Sequence, residues 1–281
     1  MTESLRILHL SDTHLSGDGR LQYGLVDTLA ALDRVLERAA TLAAVDVVVA
    51  AGDLSDDGSA ASYRLLAGRL EPWAAERGAS VVYAMGNHDL PDGFEEVLGP
   101  REQVLLRDGF RVVTVDTSVA QAGYGRVDGE RLERLRDVVG EPSERGTVVV
   151  LHHPPVPPST GLFETLRLVD PEPFIDVCTA ADVRLILAGH YHHALIAGAG
   201  PREIPVVVAP AVANTTDVLW PSDRQRAVRG SGFAALQLPV AGPARIHVLT
   251  APDARDGETV YDLDAEAVAR ITADAGWPGR Q

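Results

Sequence analysis

Apolar residues come in short continuous runs along this chain, at residues 5–10, 45–51, 80–85, 111–116, 147–152, 183–188 and 204–209. A strand that is apolar at every position is covered on both faces, whereas a half-exposed strand alternates. Between the runs, residues 27–43 carry Leu29, Leu32, Leu36, Ala39 and Ala40 at helical spacing, and residues 129–139 carry Leu132, Leu135 and Val138. Residues 59–75 and 162–178 read as further helices. Strands alternating with helices predict an α/β fold. The later runs 233–238 and 244–249 follow each other without a helix, which predicts antiparallel or mixed pairing in part of the sheet system. There is no internal repeat and no low-complexity segment. After Ala251 the chain mixes charge, Gly and Pro with one helix-like piece, residues 265–275. The expected organisation is one domain over residues 1–251 and a C-terminal extension, 252–281, packed on it.

Composition narrows the function classes. Of 281 residues, 46% are hydrophobic, ample for a sizeable core, and the formal charge of −15 argues against a long footprint on nucleic acid. All 25 basic residues are arginine, which reads as coding bias without functional weight. Cys178 is the only cysteine, so disulfides and Cys-based zinc sites are excluded. Neither a leader peptide nor a long apolar span is visible, which predicts a soluble cytoplasmic protein with no membrane partner.

Polar clusters follow the apolar runs. "SDTH" (11–14), "AGDLSDDG" (51–58), "GNHD" (86–89), "LHHPP" (151–155) and "GHYHH" (189–193) each stand at the carboxyl end of a predicted strand, where open α/β sheets build their sites. Singly, each is weak, since Asp and Ser also terminate strands in turns. In order, they form a specific set. Carboxylates, an amide oxygen and imidazoles make a mixed O/N donor set suited to Fe, Mn, Zn or Co. Two divalent ions about 3.5–4 Å apart need a shared anionic ligand, and Asp53 is the natural bridge. Asp12, His14 and one histidine of "GHYHH" complete one ion; Asn87, His152 and the other histidine complete the second. A water or hydroxide between the ions becomes a nucleophile near neutral pH.

The ordered set D-x-H, GD, GNHD, H-x-P and GHxH resembles the signature of the calcineurin-like metallophosphoesterases, and it spans residues 12 to 192. Its surroundings, "LHLSDTHL", "YGLVD", "GDLSDDG", "MGNHD" and "LHHPP", look closest to the bacterial class III cyclic nucleotide phosphodiesterases and their glycerophosphodiesterase relatives. The resemblance implies a four-layer αββα sandwich of two mixed sheets flanked by helices. It implies that Asp12, His14, Asp53 and His192 hold the first ion, and Asp53, Asn87, His152 and His190 the second. It assigns His88 to the phosphate or the leaving oxygen, with Asp89 orienting its ring. From Ala194 onward no family signature applies.

Other residues have plainer expectations. His153 is read as an outer-shell or surface residue, His193 as pointing away, His9 and His247 as ordinary sheet residues. Asp56 and Asp57 read as a solvated turn and helix start before Ser59. Tyr124 reads as surface, and residues 154–163 either shape access to the site or merely turn the chain. The function expected is hydrolysis of a small phosphodiester, a cyclic nucleotide such as cyclic AMP foremost, to a monophosphate. Within the fold, a glycerophosphodiesterase, a phosphomonoesterase or a nuclease are the rivals, and the acidic charge disfavours the nuclease. A noncatalytic scaffold would show eroded ligands, and none is eroded. The expected partner is the substrate alone, with no nucleic-acid polymer and with a homodimer left open.

Overall fold

The computed structural model describes residues 3–275 and 278; the remainder of the expected C-terminal extension lies outside the described residues. The first sheet contains β1 (Ser4–Leu10), β2 (Val47–Ala51), β3 (Ser80–Ala84), β14 (Gly232–Pro239) and β15 (Arg245–Thr250), in the order β15-β14-β1-β2-β3. The second contains β4 (Val104–Arg107), β5 (Phe110–Val115), β7 (Thr147–Leu151), β9 (Val183–Ala188), β10 (Leu195–Ala199) and β11 (Ile204–Val208), in the order β10-β11-β9-β7-β5-β4. β1, β2 and β3 run parallel, as do β5, β7, β9 and β11. The hairpin β14–β15 is antiparallel to β1, in the register Ser4↔Pro239 through His9↔Ala234.

Alternate residues of the strands enter different layers, which is why their sequences are apolar throughout. Leu5, Ile7, Val47 and Val49 face Val148, Val150, Leu185 and Leu187 across the space between the sheets. Their neighbours Leu8, Leu10, Val48 and Ala50 pack outward against Leu32, Val35 and Leu36 of α1 (Thr28–Ala39) and Tyr63, Leu66 and Leu70 of α2 (Ala60–Ala75). On the far side, Val149, Leu151, Ile186 and Ala188 meet Leu135 and Val139 of α4 (Gly129–Gly140) and Phe174 and Val177 of α5 (Glu172–Ala180). The result is helix, sheet, sheet, helix. Caps set the helix starts: the Asp27 carboxylate accepts from Ala30 N, and Ser59 Oγ from Ser62 N.

The sequence pattern misreads one segment and passes over several short elements. Residues 162–178 are not one helix. They divide into a 3₁₀ turn (Leu162–Thr165), the two-residue strand β8 (Leu168–Val169), paired with β6 (Gly125–Arg126), and α5. Asp170 stands before Pro171, a position from which the helical conformation is sterically disfavoured, and its φ is +46°. The short helix α3 (Pro91–Leu98) and the edge strands β4 and β10 carry too little apolar periodicity to announce themselves.

A small third sheet, β12 (Thr215–Thr216), β13 (Gln225–Val228) and β16 (Thr259–Leu263), joins residues beyond Ala251 to the loops above the main sheets. The last helix, α6 (Ala265–Asp274), lies against the 3₁₀ turn. Among the described residues, no helix is long and apolar enough to cross a membrane.

Candidate metal centre

The parallel strands of both sheets end at one edge, and there the backbone turns sharply. Asp12, His14, Asp53, His190 and His192 all adopt positive φ, between +45° and +71°. Such conformations cost about 1–3 kcal/mol each for non-glycine residues and persist only when the surroundings over-determine them. Here the loops brace one another: Asp12 N donates to Gly52 O, His14 N to Asp53 O, and His190 N to the Asp12 carboxylate. Gly52 has φ +91°, and a Cβ there would lie 2.4 Å from His152 Nδ1; at Gly86 it would lie 2.3 Å from Asp53 N. Gly52 lets the two sheet ends close on each other, and Gly86 lets the loop after β3 close on the loop after β2.

The turns throw the side chains together. Asp12, His14 and His192 form one group of potential ligands, Asp12, Asp53 and His152 another. Asp53 Oδ2 lies 3.3 Å from His152 Nε2 and 3.7 Å from His14 Nε2, so this carboxylate reaches both sides of the cluster. Asp12 Oδ1 lies 3.3 Å from His192 Nε2. Three of the imidazoles are hydrogen-bonded through their other nitrogen, which fixes the tautomer, and the fourth, His14, turns that nitrogen toward a carboxylate. His152 Nδ1 donates to Ala51 O at 2.8 Å, His190 Nε2 to Leu166 O at 2.7 Å, and His192 Nδ1 to Asn214 Oδ1 at 3.1 Å. Asn214 in turn donates to Gln22 Oε1 at 2.9 Å. His14 Nδ1 lies 3.5 Å from Asp56 Oδ1.

Several donors of the cluster are left short of hydrogen bonds. Asn87 Oδ1 and His152 Nε2 are buried without a hydrogen-bond partner, and His14 Nε2 and His192 Nε2 approach to 3.2 Å. A buried polar atom without a partner costs about 1–3 kcal/mol. A cation among these donors would satisfy all of them, so the residues fit divalent metal ions. Without a metal, protons take part of that role. Burial works against a charge on His152, but Asp53 and Asp12 raise its pKa to about 9; His192 is raised likewise by Asp12. Asp12 is lowered to about 2: burial opposes ionisation, and His192 and His152 outweigh it. His190 is held neutral by burial and by the neighbouring imidazoles.

His88 sits at the rim, its ring exposed and 4.9 Å from that of His14, while its backbone N donates to Asp53 Oδ1. Asp89 corrects the expectation that it orients His88. Its buried carboxylate accepts from Gly86 N, Leu54 N, Ser55 N and the Tyr63 hydroxyl. It ties the loop after β2 to the loop after β3, because a carboxylate buried under two turns is used up by their free N–H groups. Burial and the nearby Asp53 raise its pKa to about 6.

His153 is buried beside the cluster, its ring 4.4 Å from that of His190, and it groups with His152 and His190 as a potential ligand. Its Nδ1, however, lies 2.7 Å from Thr117 Oγ1 and its Nε2 3.2 Å from Gly123 O, so both nitrogens are engaged. His193 turns Nδ1 to Ala194 O. Asp57 does serve the helix start, accepting from Ser59 N, but Asp56 belongs beside His14. Residues 154–163 lead into Phe163, whose ring packs 5.2 Å from that of His190. Asp56, Asn214, Gln22 and the carbonyls of Ala51 and Leu166 are the members that sequence reasoning missed. Ala51 and Asp56 lie inside the "AGDLSDDG" cluster, whereas Asn214 and Gln22 meet through tertiary contact alone.

Comparison with known proteins agrees with this geometry. The calcineurin-like phosphoesterase family model matches residues 5–194. A cAMP/cGMP dual specificity phosphodiesterase of Mycobacterium tuberculosis is 38% identical over 220 residues, covering 75% of this chain and 69% of that protein. The 3′,5′-cyclic adenosine monophosphate phosphodiesterase CpdA of Pseudomonas aeruginosa is 31% identical over 207 residues, covering 72% and 74%. Among solved structures, a purple acid phosphatase from yellow lupin (Lupinus luteus) seeds superposes with a TM-score of 0.65 at 13% identity, a likeness of fold alone. It takes in 98% of this chain and 56% of the phosphatase. The match over most of the chain, on the same strand ends that carry the buried donors, shows that this protein belongs to the calcineurin-like phosphoesterase family.

Proposed function

We propose that this protein hydrolyses small phosphodiesters, cyclic nucleotides foremost, with two divalent metal ions. The observation that carries the reading is the convergence of Asp12, His14, Asp53, His152 and His192, two of them ionised carboxylates, beside Asn87 Oδ1 and His152 Nε2 buried without hydrogen-bond partners. In this reading Asp12, His14, Asp53 and His192 hold one ion, and Asp53, Asn87, His152 and His190 the other. Mixed oxygen and nitrogen donors suit Fe, Mn, Zn or Co. Held there, such ions would supply positive charge for the phosphoryl oxygens and lower the pKa of an attacking water.

The chain's own residues do the rest. Asp53, which reaches both histidine groups, offsets the charge between the ions. Asn214 and Asp56 hold His192 and His14 so that Nε2 faces inward, while the carbonyls of Ala51 and Leu166 aim His152 Nε2 and His190 Nδ1. His88, exposed at the rim beside His14, donates a proton or hydrogen bond to the departing oxygen. The net charge of −15 keeps polyanions off the surface, so the site receives a compact phosphate group. Sequence similarity to two cyclic nucleotide phosphodiesterases supports the choice among diesters. Steady-state turnover of cyclic AMP, a glycerophosphodiester and a nucleoside monophosphate by Mn- or Fe-loaded protein tests it. Preference for cyclic AMP is expected; preference for the monoester would make the protein a phosphatase instead.

A further inference from the structure

Residues 22–26 form a bridged turn whose residues contradict its geometry. Leu25 N donates to Gln22 O at 3.0 Å, Gln22 and Val26 form an antiparallel bridge, and the central pair Tyr23-Gly24 has φ of +51° and +68°. This is a type I′ turn, in which the first central position strongly favours Asn, Asp or Gly. A tyrosine there is strained, and the residue is 60% exposed, so burial in the core does not hold it there. Proteins break such local rules at functional or strained sites.

The turn is also fastened to the metal centre. Gln22 Oε1 accepts from Asn214, the residue that orients His192. Val26 packs with Ala227, Val260 and Tyr261 of the small sheet, and Arg229 Nη1 donates to Leu25 O at 2.7 Å. Tyr261, from β16, meets the Tyr23 ring at 5.1 Å and 60°, an edge-type contact that fixes the ring while leaving much of it open. Tyr23 directly follows Gln22, so its turn is joined to the cluster through Asn214 and His192.

We infer that Tyr23, braced by Tyr261, is the platform on which the nucleobase of the substrate stacks while its phosphate lies among the donors. The inference rests on the proposed reading of the site and names its base-binding element. A flat neutral ring suits a flat heteroaromatic base, whereas a glycerol group offers no face to stack. Stacking on an aromatic side chain is tolerant of base identity, so adenine and guanine are bound alike.

The test compares binding of adenosine monophosphate and ribose 5-phosphate to the Mn-loaded protein by calorimetry, which isolates the base without needing turnover. Wild type is expected to bind the nucleotide about 5- to 150-fold more tightly, the range for one aromatic–base stack. Tyr23→Asn, which supplies the residue the turn favours and therefore keeps the fold, should bring the ratio close to one; Tyr23→Phe should retain it. A ratio unchanged in Tyr23→Asn, or close to one already in wild type, overturns the platform. Cyclic AMP turnover by wild type is read separately. Its absence alongside a Tyr23-dependent ratio would overturn the substrate reading and leave the platform standing.

Discussion

His14 and His192 are oriented by side chains, Asp56 and the Asn214–Gln22 pair, whereas His152 and His190 are oriented by the backbone carbonyls of Ala51 and Leu166. The two halves meet at Asp53. In the first, one substitution can remove an orienting group and leave the chain path intact. In the second, the orienting group is part of a strand end or a turn, and only a backbone shift can move it. Gly52 shows how narrow that margin is, since a Cβ there would strike the His152 ring. The first half is open to tuning residue by residue, and the second is set by the fold.

Losing the junction should erase the distinction. Asp53→Ala is expected to abolish retention of both ions and to lower kcat/KM by about 10⁴-fold or more, because two cations are left without their common counter-charge. Elemental analysis of the purified variant checks this; two ions per chain would mean that another residue joins the halves.

His88→Ala should leave both halves loaded and lower kcat by about 10²–10⁴ on a diester with a poor leaving group. The loss should shrink for a nitrophenolate leaving group, which needs no proton. Loss of metal from this variant would place His88 among the ligands and redraw the first half.

The comparison itself is sharpened by Asn214→Ala and Asp56→Ala. Removing a group that orients a metal-bound imidazole typically costs about 10- to 100-fold in metal affinity. Competition with a metal indicator should show one ion weakened and the other unaffected. Equal weakening of both would mean that the halves do not bind independently.

The smallest signal is a count of protons. In the metal-free protein His152 is raised from 6.5 to about 9. The stability it contributes is therefore fully present below pH 6.5 and lost as pH rises through about 9. Metal uptake at pH 7 must expel that proton, and the release should fade above about pH 9. Calorimetric titration in buffers of different ionisation enthalpy measures it; release that stays constant between pH 7 and 10 would show that His152 does not titrate in that range.

The same division explains what could be read from the residues. Strands covered on both faces are legible because every position must be apolar, and the ligands are legible because their chemistry is unusual and sits where those runs stop. Groups whose role is defined by a neighbour distant in the chain are not. Asn214 and Gln22 are ordinary polar residues until the fold brings them together, and a backbone carbonyl has no letter of its own. Asp89 was misassigned for the same reason: it is adjacent to His88 in sequence, but the unpaired N–H groups of two turns claim it first. The helix expected at 162–178 failed on Pro171, whose restriction on Asp170 outweighs the apolar spacing around it.

The pairing of β1 with β14 has a consequence for how the protein is made. Asp12 and His14 hang from the end of a strand whose antiparallel neighbour, Gly232–Pro239, is translated long after the last proposed ligand, His192. Until that neighbour emerges from the ribosome, one edge of β1 lacks its partner, and Ala234, Leu236 and Leu238 are missing from the layer between the sheets. A growing chain that already contains every proposed ligand therefore still lacks the frame that holds them in register. Metal capture becomes a late event in biogenesis, and arrested chains ending before Gly232 should take up metal far less readily than chains released at full length.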